Sequence, residues 1–306
     1  MTPVREEPLR EEPARDEEVQ PRPAHTPVIL FRNLLGSMAG RVGLTCVLMI
    51  LTCALLDKLI APYDPNAIDV SARLQVPSLR HWLGTDQLGR DLLSRVIDGS
   101  RLVMGIVIVG VGGALSIGMG AGVLAGYGFR TLGTVFALFC DVIMSLPMML
   151  FALAVATLIG GGIGTVTLIV IVFLIPIYFR VARNQTIVLK QSEYVTAARA
   201  MGASSSRVML VHILPNLVGQ MLVLVAMDVP AVIGIEAGLS FLGEGARPPV
   251  ATWGSILRDG FAFIREAPHI ALVAGLPILI ATVGFTFLGE ALRDSLDPRV
   301  AGRHRN

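Results

Sequence analysis

Long apolar runs separated by short polar segments are the feature that most constrains the fold of this chain. A helix needs roughly 20 apolar residues to cross the hydrocarbon layer of a bilayer. Hydrophobic residues make up 53% of the 306 residues and charged residues only 16%, a balance that excludes the mixed surface of a soluble domain. The sequence therefore predicts an all-α membrane protein with six transmembrane helices, over residues 42–60, 102–127, 142–159, 166–179, 217–239 and 270–288.

The sequence lacks the short patterns of common catalytic and metal sites. It contains no G-x-x-x-x-G-K-S/T loop and no H-E-x-x-H pair, and its five histidines are scattered without metal-ligand spacing. Cys46, Cys53 and Cys140 lie in or beside apolar runs, and we interpret them as reduced packing residues. The net charge of +2 gives no indication of nucleic-acid binding. We expect a chain that is not itself an enzyme and binds no cofactor or metal of its own.

Charge and composition predict how the chain is divided and oriented. Residues 1–30 are rich in Glu, Arg and Pro, so we expect a disordered tail, either regulatory or merely solvated. Arg180, Arg183 and Lys190 follow the fourth apolar run and mark the cytoplasmic side. The arginines of residues 73–101 fall outside, in a long segment where the positive-inside rule is weak. Six crossings then place both termini in the cytoplasm and divide the chain into a tail (1–30), a first transmembrane helix with an extracytoplasmic segment (31–101), a five-helix core (102–290) and a C-terminal tail (291–306).

A polar stretch rich in small residues lies between the fourth and fifth apolar runs, from Glu193 to Pro215. Gly202 divides it and can end a helix by taking a left-handed conformation. Ser204 or Ser205 can then cap a second short helix. The stretch predicts a helix–turn–helix hairpin over residues 191–213, too polar to cross a bilayer. The first helix places four residues on one face: Tyr194, Ala197, Ala198 and Met201.

This hairpin resembles the EAA loop of ATP-binding-cassette (ABC) importer permeases. The matching positions are Ala197, Ala198, Gly202, Leu214 and Pro215. Thr196 replaces the usual glutamate and His212 the usual isoleucine; Glu193, one turn earlier, is a candidate for the missing carboxylate. The resemblance implies docking onto a separate ATPase subunit, whereas the alternative is an ordinary loop between spans. The implied coupling residues are Glu193, Tyr194, Ala197, Ala198, Arg199, Met201, Gly202, Ser204 and Arg207.

A second polar segment carries the run His81-Trp-Leu-Gly-Thr-Asp-Gln-Leu-Gly-Arg-Asp91. This run is similar to one in the C-type permeases of the dipeptide, oligopeptide and nickel importers. Its residues either contact the cargo or its delivering receptor, or form a capped, salt-bridged turn. We expect Thr85 or Asp86 to cap a helix that begins near Leu88. The motif residues are Gly84, Thr85, Asp86, Gly89, Arg90 and Asp91.

Two later stretches match the same family. Residues 239–257 contain Leu-Ser-Phe-Leu-Gly, a Pro-Pro pair and Trp253-Gly254, and residues 289–299 resemble the family's ending, with Glu290 in place of the more frequent Asp. The resemblance covers residues 31–299 and implies the type I ABC importer (MetI-like) permease fold, with a cytoplasmic EAA coupling hairpin.

Ionisable residues within the apolar runs are candidates for a translocation route. Asp228 and Glu236 lie in the fifth run, where such groups face a cavity or a partner, or form a buried hydrogen bond to a neighbouring helix. Pro147 is expected to bend the third run and is assigned to the same route. We expect Asp141 to lie near the cytoplasmic boundary, just before that run.

Small residues recur every fourth position along the second run and form a ridge. Such ridges let helices approach closely in a membrane. We favour packing within this subunit over packing against a partner subunit. The ridge consists of Gly110, Ala114, Gly118, Gly122 and Gly126.

The resemblance implies a multi-pass permease subunit of an ATP-driven importer in the inner (cytoplasmic) membrane, with di- or oligopeptides as cargo. Its implied partners are a second, B-type permease, two ATP-binding subunits that hold ATP and Mg²⁺, and an extracytoplasmic substrate-binding protein, with no nucleic acid. Three alternatives remain: the same fold importing nickel chelates, a secondary transporter driven by an ion gradient, and a membrane sensor or scaffold.

Overall fold

A computed structural model of the chain describes residues 34–296. The predicted tail of residues 1–30 and most of the predicted tail of residues 291–306 lie outside these residues. The helices are α1 (Met38–Leu55), α2 (Asp57–Ile60), α3 (Leu92–Tyr127), α4 (Arg130–Met144), α5 (Met148–Ile159), α6 (Ile163–Lys190), α7 (Glu193–Ala200), α8 (Ser205–Arg207), α9 (Leu214–Leu242), α10 (Trp253–Ala262) and α11 (Pro268–Leu296), with a 3₁₀ turn at Val70–Ala72 and a π-helical turn at Val208–Ile213.

Five helices of the described region are long and apolar enough to cross a membrane, namely α1, α3, α6, α11 and the continuous helix Ser205–Leu242. Helices α4 and α5 pass the same test only when taken together, and they are bent by 95° at the break between them, so the pair is either a sixth, broken span or a re-entrant loop. The structure thus confirms the all-α fold and accommodates the six predicted spans.

The third predicted span differs from the structure in its bounds. It was expected over residues 142–159, but its first limb already begins at Arg130. Pro147 is the residue that precedes α5, where its missing N–H removes no helical hydrogen bond. The predicted bend at Pro147 is confirmed, as a complete break between two helices rather than a curve in one.

The glycine ridge of α3 packs against α6 of the same chain. A Cβ atom on Gly118 would lie 2.8 Å from the carbonyl oxygen of Ile175, and one on Gly122 would lie 2.6 Å from that of Phe179. Only a residue without a side chain allows this approach of the two backbones. The contacts advance in the same direction along both helices, so α3 and α6 run parallel and packing within the subunit is confirmed for this ridge.

These contacts define two ends of the bundle. At the hairpin end, where residues 191–213 lie, Lys190 at the end of α6 reaches Tyr127 at the end of α3. The loop end carries residues 61–91 and 243–267, where Tyr63 N donates to Ser94 Oγ at 3.1 Å. Helix α1 runs antiparallel to α11, so both ends of the described chain lie at the hairpin end.

Helix α3 begins at Leu92 and not near Leu88, so the predicted capping by Thr85 or Asp86 is wrong. Asp91 is the N-cap, and its Oδ2 accepts from Ser94 N at 2.9 Å. Gly89 has a φ of 74° and keeps the preceding segment out of the helical conformation.

Candidate functional site

The hairpin at residues 191–213 has the predicted form. Helix α7 is followed by Gly202, whose φ of 87° places it in the left-handed region. Ser204 is the cap of α8, and its Oγ accepts from Arg207 N at 3.3 Å. From Ser205 the chain continues without interruption through the π-helical turn into α9. The second limb of the hairpin is therefore an extension of a membrane-spanning helix.

The predicted apolar face of α7 is divided between the interior and the outside. Val195 and Ala198 are buried against the rest of the chain, whereas Tyr194 is 44% exposed and Met201 is 82% exposed. Ala197 is exposed as well. The Tyr194 ring lies 6.3 Å from the His212 ring, centroid to centroid, so Tyr194 is partly covered. Tyr194, Ala197 and Met201 nevertheless form an exposed apolar strip on the outer side of the hairpin.

Polar candidates surround this strip. Glu193, Arg199, Ser204 and Arg207 are all exposed. Within residues 34–296, none of the three charged ones forms an ion pair. Gly202 is exposed, and a Cβ atom on it would meet no atom within 4 Å. The hairpin therefore presents an open, mixed apolar and charged surface.

Tyr127 links the hairpin to α3, a contact that no sequence pattern indicates. The guanidinium of Arg199 lies 5.1 Å from the Tyr127 ring centroid and the ammonium of Lys190 lies 5.3 Å from it, both cation–π distances. Lys190 Nζ also donates to the Tyr127 carbonyl oxygen. The partners are 63 residues apart in the case of Lys190, so no local pattern indicates the contact.

The two acidic residues predicted in the fifth span lie in different environments. Asp228 is half-buried in the middle of α9 and faces the Tyr178 hydroxyl of α6. Asp228 Oδ2 and the Tyr178 hydroxyl have no hydrogen-bond partner among the described residues. Glu236 is 1% exposed, and its Oε1 accepts from Ser240 Oγ at 2.6 Å within the same helix. Asp228 is thus the more accessible of the two, and Glu236 opens onto no route in this conformation.

The structure contains an ion pair between α4 and α6 that the sequence did not predict. Arg180 of α6 donates to Asp141 of α4 at 2.7 Å, and the two side chains are 47% and 68% exposed. Asp141 lies roughly three turns inside α4, whereas the third span was predicted to begin just after it. Charged groups that are exposed on an apolar helix tend to face water or a partner chain. The partner of Asp141 was not predictable, because Arg180 is 39 residues away in the chain.

The run at residues 81–91 forms a buried, capped turn. Asp86 Oδ2 accepts from Arg90 Nε at 2.7 Å, and Asp86 Oδ1 accepts from Leu88 N at 2.8 Å. Asp91 Oδ1 lies 2.9 Å from His81 Nδ1. All the charged members of this cluster are buried. Their geometry is that of a salt-bridged turn, the second of the two predicted roles.

The other two motif positions complete this turn. The Thr85 hydroxyl donates to the Ala72 carbonyl oxygen and accepts from Gln75 N at 2.9 Å. Gly84 has a φ of 83°, a conformation that side-chain-bearing residues rarely adopt. Together these contacts hold the segment 69–91 against the start of α3.

The second family-like run packs onto this turn. Trp253 is fully buried, and its Nε1 donates to the Val96 carbonyl oxygen of α3 at 3.1 Å. Arg90 Nη2 lies 4.0 Å from Asp259 Oδ2 of α10. Two runs about 150 residues apart in sequence thus form one loop-end structure.

Sequence comparison accounts for this combination of hairpin and loop-end runs. Residues 118–302 match the family described as "binding-protein-dependent transport system inner membrane component". The chain belongs to this family. It is similar to the glutathione transport system permease protein GsiD of Pectobacterium atrosepticum, with 38% identity over 255 aligned residues. These residues make up 83% of this chain and 85% of that protein. The GsiD proteins of Escherichia coli and Shigella boydii are 40% identical over 259 residues, which span 84% of this chain and 85% of theirs.

Family membership establishes the general role of the chain. It is a multi-pass membrane permease of the peptide-importer type within the ABC transporters, and it is a non-catalytic subunit. Such a permease works with a partner permease, an ATPase and a binding protein. The assignment decides against the ion-gradient carrier and the scaffold that the residues alone had left open.

Proposed function

We propose that this permease forms half of the translocation pathway of an ATP-driven importer for small peptides and couples that pathway to an ATPase through residues 191–213. The observation that supports the coupling role is the exposed apolar strip of Tyr194, Ala197 and Met201. Adjoining exposed apolar side chains with a polar rim are typical of protein–protein contact sites. Glu193, Arg199, Ser204 and Arg207 then form the polar rim of that contact, and Ala198 supports it from the interior.

Movement reaches the membrane through the second limb. Ser205 and Asp228 lie on one continuous helix, which at 1.5 Å per residue separates them by about 35 Å. A displacement of the hairpin by the ATPase therefore shifts Asp228 relative to α6. Tyr127 ties the first limb to α3, so that the hairpin moves two spans together. A π-helical turn at Val208–Ile213 lies between the hairpin and the span, and such turns are frequent at functional sites.

The orientation follows from the coupling role. ATP is hydrolysed in the cytoplasm, so the hairpin end faces the cytoplasm and both termini lie there. The loop end, with residues 61–91, then faces outward and meets the substrate-binding protein. The proposed division is a first helix with its outer segment over residues 31–101 and a five-helix core over residues 102–290.

For the route itself we propose Asp228 and the break at Pro147, together with the exposed pair Asp141–Arg180. These groups place both signs of charge on the proposed route, which suits a zwitterionic cargo. Glu236, also a sequence candidate, is assigned instead to the junction of α9 with the loop end, because it is enclosed there.

The coupling role is tested by one substitution at two glycines. Gly202→Asp adds a charged side chain on the hairpin, where this chain leaves open space. Gly162→Asp adds the same side chain at the loop end and is the control. Gly162 also has a positive φ, of 151°, and a Cβ on it would meet no atom within 4 Å. We expect Gly202→Asp to lose the ATPase on purification of the complex and to lose ATP-dependent uptake. Gly162→Asp should retain both. Equal retention of the ATPase by the two variants would refute docking at the hairpin.

The cargo class rests on the relatives, which are named as glutathione transport permeases. We propose a small peptide of glutathione size for this chain. Proteoliposomes that contain the whole importer and its binding protein should accumulate tritiated glutathione or a labelled dipeptide on addition of ATP. Accumulation of radioactive nickel with a chelator, in place of either peptide, would assign the cargo to nickel chelates instead.

A further inference from the structure

A cavity of about 170 Å³ lies at the loop end, between the two motif runs. One wall comes from the turn at residues 81–91 and the start of α3, and the other comes from the segment 246–259. The polar side chains that matter here are Gln87, Arg90, Arg95, Ser240, Arg258 and Asp259.

Two of its guanidinium groups are buried and use few of their donors. Each guanidinium has five N–H groups. Arg90 is 6% exposed and donates within the described chain only through Nε, to Asp86. Arg95 is 3% exposed and donates only through Nη1, to the Pro65 carbonyl oxygen at 3.4 Å. Arg95 Nε lies 3.3 Å from Asp86 Oδ2 but outside hydrogen-bonding geometry, and it is buried without a partner. Buried donors of this kind cost free energy until an acceptor reaches them.

The charges that line the cavity favour an anion. Three arginines face one carboxylate, Asp259, which lies 4.0 Å from Arg90. Arg258 forms no ion pair within residues 34–296. Its guanidinium lies against Gly243, at the C-terminal end of α9, where the helix dipole favours a cation. Unlike Arg90 and Arg95, Arg258 is exposed, and it lies at the mouth of the cavity without an ion-pair partner in the described chain.

Two carboxylates lie behind the walls of the cavity. Asp86 pairs with both Arg90 and Arg95. Glu236 does not line the cavity; its Oε1 accepts from Ser240, and its Oε2 is buried without a hydrogen-bond partner in the described chain. Neither carboxylate forms an ion pair with Arg258.

We propose that this cavity binds a carboxylate, with Arg258 as its principal ligand and Arg95 as the buried donor beneath it. The planar fork of a guanidinium matches the two oxygens of a carboxylate. The cavity has room for a carboxylate and a few adjoining atoms, and Asp259 disfavours anions of higher charge. Two sources share this chemistry: the free carboxylate of a peptide cargo and an acidic side chain of the substrate-binding protein.

Binding is measured first with trifluoroacetate as the probe, by fluorine NMR on the whole transporter complex in nanodiscs. We expect saturable binding that Arg258→Gln weakens about tenfold. Asp259→Asn should tighten it a few-fold, because it removes a like charge. Arg265→Gln, an exposed arginine outside the cavity, is the matched control and should leave binding unchanged.

Arg258→Gln should weaken trifluoroacetate binding and Asp259→Asn should strengthen it, so the test does not depend on one variant. Asp259 has a side chain that is 30% exposed and accepts no hydrogen bond in the described chain, so Asp259→Asn should fold even if Arg258→Gln does not assemble. Unchanged or weaker binding in Asp259→Asn, or equal binding in Arg258→Gln and Arg265→Gln, would overturn the proposal. This readout requires no transport, so its failure is separate from a failure of the importer function.

A second experiment on the same variants identifies whether the carboxylate comes from the cargo or from the substrate-binding protein. This experiment rests on the proposed function. If the carboxylate is a receptor side chain, Arg258→Gln weakens docking of the cargo-free binding protein about tenfold. If it belongs to the cargo, Arg258→Gln leaves docking intact and removes the preference in uptake for a tripeptide over its C-terminal amide. No change in either measurement would refute a functional carboxylate site.

Discussion

Replacing Gly122 by alanine tests how the two central helices are held together. The added Cβ would lie 2.6 Å from the Phe179 carbonyl oxygen, 2.7 Å from the Ala182 Cβ and 3.0 Å from Arg183 N. Two of these atoms belong to the backbone of α6 and cannot rotate away. Helix α3 must therefore move outward by about 0.5–0.8 Å to restore ordinary contact distances. Gly120, two residues earlier on the same helix, has no atom within 4 Å of a Cβ and is the matched control.

The comparison isolates the packing cost. Alanine in place of glycine inside a helix gains about 0.8–1.0 kcal/mol at either position. Overpacking costs about 1–3 kcal/mol, and only Gly122→Ala incurs it. Because the propensity gain cancels in the difference, Gly122→Ala should be less stable than Gly120→Ala by about 1–3 kcal/mol.

Unfolding can be followed through Cys140, which is buried in a small cluster with Phe179. In a background where Cys46 and Cys53 are replaced by alanine, a thiol-reactive dye reports when α3, α4 and α6 separate. The midpoint of labelling during heating should fall for Gly122→Ala relative to Gly120→Ala. Identical midpoints would show that the contacts of the ridge do not limit the approach of the two helices.

Two further substitutions probe the ends of the bundle. Asp91→Ala removes the N-cap of α3 and the carboxylate that pairs with His81, so it should lower the free energy of unfolding by about 2–4 kcal/mol in thermal unfolding. Asp91→Asn should cost less, and equal effects of the two variants would show that the N-cap contributes little to stability. Tyr127→Ala removes the ring between Lys190 and Arg199 and should lower the amount transported per ATP hydrolysed. Tyr127→Phe keeps the ring and should behave like the wild type. An unchanged transport-to-hydrolysis ratio in Tyr127→Ala would argue against a role of Tyr127 in linking the hairpin to α3.

Local sequence patterns were sufficient to predict those parts of the structure that depend on interactions between neighbouring residues. The hairpin was predictable because Gly202 and Ser204 act on their own neighbours, through a left-handed turn and a cap. The ridge of α3 was predictable because its period matches the helix. The start of α3 was misplaced by about one turn, since the Thr85 hydroxyl is taken up by the Ala72 carbonyl oxygen and the Asp86 carboxylate by Leu88 N and Arg90 within the turn. The break at Pro147 was foreseen as a bend, but its size of 95° depends on how α5 packs.

The candidate site also has features that the sequence predicted and features that it did not. Asp228 and Glu236 look equivalent in sequence, as acidic residues in one apolar run, yet one is half-open beside Tyr178 and the other is enclosed. The pairing of Asp141 with Arg180 and the contacts of Tyr127 were not predictable, because each joins residues far apart in the chain.

The sequence by itself determined that this is a helical membrane protein with a polar hairpin, because hydropathy, helix period and turn chemistry act over a few residues at a time. Only the tertiary structure decided which face of the hairpin stays exposed, which acidic group is accessible and that three arginines meet at one cavity. Those outcomes depend on which distant helices pack together, and burial and electrostatics are set by that packing.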